Sequence, residues 1–272
     1  MTADDADTMK RTIHTYHDGT LIPEEVSVVG EFPLKLIVNG RELATLIASP
    51  HDLRFLVAGF LRLNGFVSSA ADFEMLSVCE EFGVANVRIK GEVPQELIPT
   101  LTSGCGAGIT FTLPGHEAAP GAASPVTATV APADLFGLME ELARRAEQYR
   151  RHGGIHSAAA GQSGHVILYA EDLGRHNTLD RLAGEALLKG IDLSGKTLVT
   201  SGRISSEMFA KGASLGFSLM ASRTSPTNLT VKLAEERGIT IIGYVRGGRF
   251  SVYCHPERIA LPAPLGTERI PG

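Results

Sequence analysis

After Gly154 the chain alternates segments typical of strands with segments typical of helices, and this alternation limits the possible folds more than any other feature. Helices are expected over residues 176–189, over the stretch ISSEMFAKGASLG, and after Ser225-Pro226, where serine would cap a helix and proline would occupy its first turn. The strand-like runs are HVILYA, KTLVTS, GITIIGYV and RFSVYC. Strands that alternate with short helices predict a sheet covered by helices, which is the α/β class.

The chain before this region has a different pattern. In FPLKLIVNGRELATLIAS, two strand-like runs are joined by Asn39-Gly40, a pair that readily adopts the positive φ angles of a tight hairpin turn. A helix is expected between Asp52 and Gly65, because the apolar residues there recur on one face. Two further strands are expected near 74–79 and 86–90. These elements predict a smaller α+β part.

The patterns also suggest where the chain divides. Residues 113–132 are rich in proline, alanine and glycine and predict a long connection, followed by an amphipathic helix that ends near His152. We therefore expect four regions. They are a disordered tail over residues 1–20, an N-terminal α+β part over 21–130 that carries Cys105, an α/β core over 131–262, and a second tail over 263–272.

Composition argues against several classes of protein. The net charge is −5 over 272 residues, which argues against a general nucleic-acid role. No apolar run approaches the ~18 residues that a membrane span needs, and the polar N-terminus lacks the apolar segment of a secretory signal. The three cysteines, at positions 79, 105 and 254, do not suggest a disulfide framework. We expect a protein of the reducing cytoplasm with no membrane partner.

Cys105 lies among three glycines in the stretch TSGCGAG. Glycine gives neither side-chain cover nor conformational restraint, so this thiol is expected to be accessible and mobile. The thiolate is the reactive form of cysteine, and lowering its pKa from ~8.5 requires a positive group from elsewhere in the fold. The local sequence favours a reactive role for Cys105 over a structural one, whereas Cys79 and Cys254 are expected to be packing residues within strands.

The stretch EDLGRHNTLD, residues 171–180, places six acidic, basic or amide side chains between a predicted strand and a predicted helix. Ligands of α/β folds bind at the carboxyl ends of strands, so His176 is a candidate binding residue. The alternative is a capped helix with surface charges. His156 follows two glycines before the same region, and the roles of His156, Glu171 and Asp172 stay open between fold support and catalysis.

Two further stretches carry arginine beside glycine. Arg203 lies in a serine-rich turn between a strand and a helix, a place suited to a phosphate. In GYVRGGRF, Arg246 and Arg249 flank two glycines of a predicted hairpin, where the guanidinium groups either hold phosphate oxygens or serve only solubility. Residues 201–258 hold eight lysine or arginine residues and four glutamates, so this region is positive in an acidic chain. The local field favours a small anionic ligand.

Several long motifs together resemble one known family. They are FPLKLIVNG and PHDLRFLVAGFL near the start, and EDLGRHNTLDRLAG, TSGRISSEMFAKGA and YVRGGRFSVYCHPERI further on. Their order is that of the formate dehydrogenase accessory sulfurtransferase family, and the resemblance runs from about residue 30 to 260. It implies a homodimer and a core similar to the cytidine deaminase fold, without the zinc site of that fold and with no tightly held metal.

The family carries sulfur from a cysteine desulfurase to the molybdenum cofactor, a metal-bound pair of pterin guanine dinucleotides that then enters formate dehydrogenase. The resemblance implies that Cys105 carries a persulfide, since it stands at the first cysteine of the Cys-x-x-Cys loop of the family. It also implies that one turn meets the guanine dinucleotide, and that Arg203 holds phosphate, with His176 as a further candidate. The residues of this turn are Tyr244, Val245, Arg246, Gly247, Gly248 and Arg249.

The chain departs from the family pattern at Gly108, which replaces the second cysteine of the loop. A single thiol can receive sulfur and pass it on, but it cannot form the loop disulfide. The missing cysteine favours one alternative, a chaperone that binds the cofactor and in which Cys105 is incidental. A second alternative is a hydrolase that acts on a nucleotide-like substrate, although the zinc deaminase signature is absent from the sequence.

Overall fold

The computed structural model describes residues 8–94, 98–101, 109–112 and 129–261. Within these residues the protein is a mixed α/β structure of several sheets and six helices. Cys105 and residues 113–128 of the predicted connection lie outside the described residues. The division of the chain into an N-terminal part and a core stays a prediction.

The chain begins with an antiparallel two-stranded ribbon of β1 (Thr8–His17) and β2 (Thr20–Val29). The expectation of a disordered tail over residues 1–20 is therefore wrong for Thr8–His17 and for Thr20. Asp18 and Gly19 take φ angles of 46° and 84°, and such an Asp-Gly pair is a known signal for a tight hairpin. The strands are mostly exposed, and apolar residues such as Ile13, Ile22 and Val28 remain in contact with solvent, so the ribbon has no buried face of the kind that strand prediction relies on.

A four-stranded sheet follows, with the strand order β4-β3-β6-β5. Its strands are β3 (Phe32–Val38), β4 (Arg41–Ala48), β5 (Phe73–Cys79) and β6 (Val84–Ile89), and helix α1 (Leu53–Leu63) packs on one face. The predicted hairpin is confirmed, because Asn39 and Gly40 form its turn with φ angles of 50° and 81°. Two short strands, β7 (Ile98–Leu101) and β8 (Ile109–Thr112), pair separately.

The second half of the chain forms a six-stranded sheet with the order β10-β9-β11-β12-β13-β14. The strands are β9 (His156–Gln162), β10 (His165–Asp172), β11 (Thr197–Thr200), β12 (Leu219–Ser222), β13 (Thr240–Arg246) and β14 (Arg249–Cys254). The helices are α2 (Pro132–Arg145), α3 (Glu147–His152), α4 (Arg175–Lys189), α5 (Ser206–Ser214) and α6 (Asn228–Arg237). The predicted alternation of strands and helices is confirmed.

The details differ from expectation at three places. The helix that was expected to run to His152 is interrupted at Ala146, which separates α2 from α3. Helix α6 begins two residues after the predicted Ser225-Pro226, because Thr227 provides the capping oxygen for the backbone N–H of Thr230. Strand β9 was not predicted as a strand, since five of its seven residues are buried and three of those are alanines, so it shows no alternation.

Helices cover both faces of the six-stranded sheet. One face packs on α4, α5 and α6 through a cluster that includes Ala160, Leu179, Leu198, Met208, Phe209 and Met220. The other face packs on α2 through a cluster that includes Leu135, Leu138, Ala159, Val199 and Ile242. No helix in the described part of the chain is long and apolar enough to cross a membrane.

The two sheets are joined through α1 and α4, whose backbones approach closely at two glycines. A Cβ atom at Gly59 of α1 would overlap the carbonyl oxygen of Asp180, and one at Gly184 of α4 would overlap the carbonyl oxygen of Phe55. Glycine is required at both positions because backbone atoms, unlike the end of a flexible side chain, cannot move aside.

We expect Gly59→Ala to destabilise the protein by about 3 kcal/mol or more, since the methyl group forces the two helices apart. A matched control is Gly137→Ala in α2, where the nearest atom to an added Cβ lies at 3.6 Å. Alanine favours a helix over glycine by ~1 kcal/mol, so this control should be neutral or slightly stabilising. Urea unfolding of both variants measures the difference, and equal midpoints would contradict the predicted clash.

Candidate functional site

The six-stranded sheet brings the carboxyl ends of four strands to one edge. Strands β11, β12 and β13 are parallel, and β10 shares their direction because β9 runs antiparallel to both β10 and β11. The first residue of β9, His156, therefore lies at the same edge as Asp172, the last residue of β10. This edge is where open α/β sheets bind ligands, as the sequence analysis expects.

Hydrogen bonds connect the loops along this edge. The backbone N–H of Ser201 donates to the carbonyl of Ser157 at 2.9 Å, and the Ser222 hydroxyl donates to the carbonyl of Gly202 at 2.7 Å. The N–H of Tyr244 then donates to the carbonyl of Thr224 at 2.9 Å. The loops after β11 and β12 are thereby held in one row with the start of β9 and the end of β13, which sequence reasoning could not find because it depends on strand order.

Gly202 lies close to both His156 and Arg175 in this row. A Cβ atom on Gly202 would lie 3.1 Å from Cβ of Arg175 and 3.4 Å from Nδ1 of His156. Burial lowers the pKa of His156, and the nearby Arg175 guanidinium lowers it further. The structure thus brings together the start of β9, the start of α4 and the loop after β11, and a neutral imidazole at His156 can accept a hydrogen bond.

His176 lies in the first turn of α4 and is 7% exposed. Burial, followed by the charges of Lys211 and Arg175, lowers the pKa of His176 to about 3. Its Nε2 atom is buried and makes no hydrogen bond to a described residue. The imidazole is therefore neutral and lies within the protein, so the structure does not place this candidate on the surface of the loop row.

Three members of the EDLGRHNTLD stretch have structural contacts. Asp172 is fully buried and its Oδ2 accepts from Nη2 of Arg181 at 2.6 Å and from the backbone N–H of Ser49 at 3.2 Å. Its Oδ1 accepts from the Asn177 side chain at 2.8 Å. Glu171 accepts from the N–H groups that begin α3, at 3.3 and 3.4 Å. These contacts favour fold support for Asp172 and Glu171.

Asp180 forms a second buried pair, with Lys211 of α5. The ammonium lies 2.6 and 2.8 Å from the two carboxylate oxygens. Burial raises the pKa of Asp180, and the Lys211 charge opposes that change. Lys211 is thus a structural cation and does not contribute to an exposed positive surface, although the sequence analysis counts it in the positive region.

The hairpin of β13 and β14 carries the predicted arginine turn. Arg246 and Arg249 are exposed on either side of two glycines, whose φ angles are 59° and 70°. Tyr244 is 41% exposed and has a φ angle of 55°, which is unusual for an aromatic residue and indicates local strain. The guanidinium of Arg246 lies 5.8 Å from the centroid of the Tyr244 ring. Val245, by contrast, is buried against the sheet core and presents no side chain to a ligand.

Tyr253 is a neighbouring aromatic residue that sequence reasoning missed. It is 36% exposed on β14, and its ring lies close to Gly243, where an added Cβ would be 2.9 Å from Tyr253 Cε2. The pKa of Tyr253 is raised by burial and by Tyr244. Two partly exposed tyrosine rings beside two exposed arginines can hold a planar base together with its phosphates. In the sequence RFSVYC, Tyr253 alternates with the apolar residues Val252 and Cys254, and this pattern could have indicated that its ring faces the same side as Arg249.

Arg203 is exposed directly before α5. The N-terminus of that helix is already capped, because Oγ of Ser205 accepts from the N–H of Met208 and donates to Glu207 at 2.8 Å. A phosphate here would meet the carboxylate of Glu207, so Arg203 itself, and not the helix end, is the group that can hold an anion.

The remaining predicted residues add no metal site. Among the described residues, no group of three or more histidine, cysteine, aspartate or glutamate side chains is arranged to hold a metal ion. Cys254 is buried, donates to the carbonyl of Ile239, and has its pKa raised by burial, as expected for a packing residue. Cys79 ends β5 and is partly exposed. Cys105 lies outside the described residues, so its role stays a prediction.

The fold and this edge define an α/β protein with a row of polar loops at the carboxyl ends of its strands and an exposed arginine hairpin beside it. Residues 29–260 match the family model described as the FdhD/NarQ family. The chain belongs to this family, which confirms the resemblance found in the sequence.

Relatives of known name agree with this membership. The protein is 36% identical to the sulfur carrier protein FdhD of Bacillus subtilis, over 93% of this chain and 97% of that protein. It is 35% identical to the protein of the same name from Staphylococcus haemolyticus, over 92% of this chain and 96% of that one. A crystal structure from Desulfotalea psychrophila, of a protein named as a formate dehydrogenase accessory protein, has a TM-score of 0.77 at 25% identity and covers 93% of this chain.

The buried imidazole of His176 predicts how stability depends on pH. The unfolded chain binds this proton with a pKa of ~6.5 and the folded chain with a pKa of about 3, so the unfolded state holds more protons between these values. The protein therefore becomes less stable as the pH falls below the pKa of the imidazole in the unfolded chain. When the pH falls from 7 to 5, the free energy of unfolding measured in urea should decrease by about 2 kcal/mol less in His176→Gln than in the unsubstituted protein. Equal losses would mean that His176 is not buried as the neutral imidazole.

Proposed function

We propose that this protein is a sulfur carrier in the maturation of formate dehydrogenase. Its relatives bear the name sulfur carrier protein at 35–36% identity over most of their length. The observation that carries the proposal in the structure is the pairing of the Arg246 and Arg249 turn with the aromatic rings of Tyr244 and Tyr253. That arrangement suits a ligand with a planar base and phosphates, such as the guanine dinucleotide ends of the molybdenum cofactor.

The first chemical step assigns a nucleophile to Cys105. Its thiolate attacks the terminal sulfur of a persulfide on a cysteine desulfurase, a new S–S bond forms, and the thiolate of the donor leaves. Cys105 then holds the persulfide. Glycine on both sides of Cys105 supports this role, because one thiol must reach two different partners in turn.

The second step delivers sulfur to the cofactor, which is the substrate of the carrier. The terminal sulfur of the persulfide takes two electrons from the reduced metal and becomes a metal-bound sulfide, while Cys105 leaves as thiolate. Only one cysteine is needed in both steps, so Gly108 at the second loop position is compatible with the scheme. Arg203, Arg246 and Arg249 hold the phosphates in this proposal.

Further parts of the proposal rest on the family alone. They are a homodimer, a cytoplasmic location, direct contact with formate dehydrogenase, and a core similar to the cytidine deaminase fold. The order of strands in the six-stranded sheet and the helices on both of its faces are the observations to compare with that fold.

Sulfur transfer is tested by intact-protein mass spectrometry after incubation with a cysteine desulfurase and cysteine. The unsubstituted protein should gain the mass of one sulfur atom, and Cys105→Ala should gain none because the acceptor thiol is absent. Cys79→Ala is the matched control, since it removes a partly exposed thiol at the end of β5 and should load normally. Loading of Cys105→Ala would contradict the proposal.

Cofactor binding is tested with guanosine diphosphate as a probe of the guanine dinucleotide ends. Arg246→Ala and Arg249→Ala should each weaken its binding about tenfold, since each removes a charge-assisted hydrogen bond to phosphate. The control is Lys232→Ala, which removes an exposed positive charge from α6. Isothermal titration calorimetry gives the dissociation constants. Equal weakening by all three variants would show that binding depends only on the overall positive charge and not on the arginine turn.

The second candidate function is a cofactor-binding chaperone without sulfur chemistry, which the missing second loop cysteine favours. The two experiments separate the candidates. Binding of guanosine diphosphate without any sulfur gain, when the desulfurase loads a known acceptor, would favour the chaperone and leave Cys105 without a catalytic role.

A further inference from the structure

The ribbon of β1 and β2 is a surface that the sulfur-carrier proposal does not use. Residues 10–25 are exposed, and no third strand pairs with the ribbon in the part of the chain that the structure describes. An isolated two-stranded ribbon is at best marginally stable in water and gains from a third strand. Its base is anchored, because Val29 Cγ1 lies 3.6 Å from the position of a Cβ on Gly154.

Pro23 determines which edge of the ribbon can accept a strand. Proline has no N–H, so its pair with His14 cannot exchange two hydrogen bonds and is a non-hydrogen-bonded pair. The pairs of Thr12 with Glu25 and of Lys10 with Ser27 are of the same type, because the two types alternate. The N–H and C=O groups of these residues therefore point away from the opposite strand.

The two outer edges are unequal as a result. On β1, the outward positions Lys10, Thr12 and His14 each keep both an N–H donor and a C=O acceptor. On β2, the outward series lacks a donor at Pro23, in the middle of the strand. The outer edge of β1 is thus the one that presents an unbroken row of hydrogen-bonding groups.

The charge of β1 selects the kind of strand that can pair there. Residues 8–17 carry Lys10, Arg11 and two histidines, and no aspartate or glutamate, whereas the carboxylates of the ribbon, Asp18, Glu24 and Glu25, lie in the turn and on β2, one strand further from the outer edge of β1. Opposite charges on neighbouring strands stabilise a sheet, whereas like charges directly opposite destabilise it. A second copy of β1 in antiparallel pairing would place no carboxylate opposite Lys10 in any register, because β1 contains none.

We propose that the outer edge of β1 binds an extended segment of a partner protein that carries carboxylate side chains, which adds a third strand to the ribbon. Backbone hydrogen bonds provide affinity in such a complex, and the charges provide specificity. The inference is independent of sulfur transfer, since neither Cys105 nor the arginine turn takes part.

The test uses the full chain and a fluorescein-labelled ten-residue peptide of alternating threonine and glutamate, followed by fluorescence anisotropy. A peptide of alternating threonine and lysine is the comparison. We expect the acidic peptide to bind at least about tenfold more tightly, and Lys10→Glu to reduce this preference. Equal affinities for the two peptides, or no binding of the acidic one, would overturn the proposal.

Two proline variants separate edge pairing from simple charge attraction. Thr12→Pro removes an outward N–H from β1 and should weaken peptide binding about tenfold. Leu21→Pro removes an outward N–H from β2, opposite Tyr16, and should leave binding nearly unchanged. Both positions are exposed and need no hydrogen bond within the ribbon. Equal effects of the two variants would show that β1 does not bind the peptide through its edge. The same conclusion would follow if Thr12→Pro bound no peptide and had a lower molecular mass in sedimentation than the unsubstituted protein.

Discussion

The ion pair of Asp172 and Arg181 is the contact on which the two halves of the structure depend. Both side chains are at most 2% exposed, so neither charge is stabilised by contact with water. Arg181 also donates to the carbonyls of Ser49 and His51, while Asp172 accepts from the N–H of Ser49. The chain between β4 and α1 is therefore tied to β10 and α4 by charges that would be costly to leave unpaired.

This tie explains why the polar residues of EDLGRHNTLD are so dense. Asn177 donates to both Asp172 and the carbonyl of Ile47, so it satisfies two groups that would otherwise be buried without partners. Helices α1 and α4 cross where glycine allows their backbones to touch, and the ion pair lies beside that crossing. Close packing and paired charge thus act on the same interface, and the loop row at the carboxyl edge is built on this rigid base.

Sequence reasoning succeeded where a local rule decides the structure. Asn39-Gly40 set a hairpin, the apolar face of α1 set a helix, and the two glycines after Arg246 set the last turn. Sequence reasoning failed where the neighbouring elements of the fold decide the structure. Asp18-Gly19 follows the same hairpin rule, yet the apolar residues of the ribbon, such as Ile13, Ile22 and Val28, stay exposed and mark no buried face. β9 is buried on both faces and shows no period, so only its neighbours define it as a strand.

The candidate site divides in the same way. Exposure of Arg203, Arg246 and Arg249 follows from their place in turns, and the structure agrees. The buried positions of His176 and Val245 depend on which helix covers them, and no pattern of neighbouring residues contains that information. The short distance between His156 and Gly202 likewise arises because β9 lies reversed between β10 and β11.

The proline in β2 has a consequence for the behaviour of many copies of the chain. Fibril growth requires that every unit offer two competent edges, one to join the stack and one to extend it. A ribbon whose second edge lacks a donor at Pro23 can join one strand and then has no complete edge left. Addition at β1 is therefore self-terminating, which lets an exposed ribbon of this length stay open to a partner without starting a polymer.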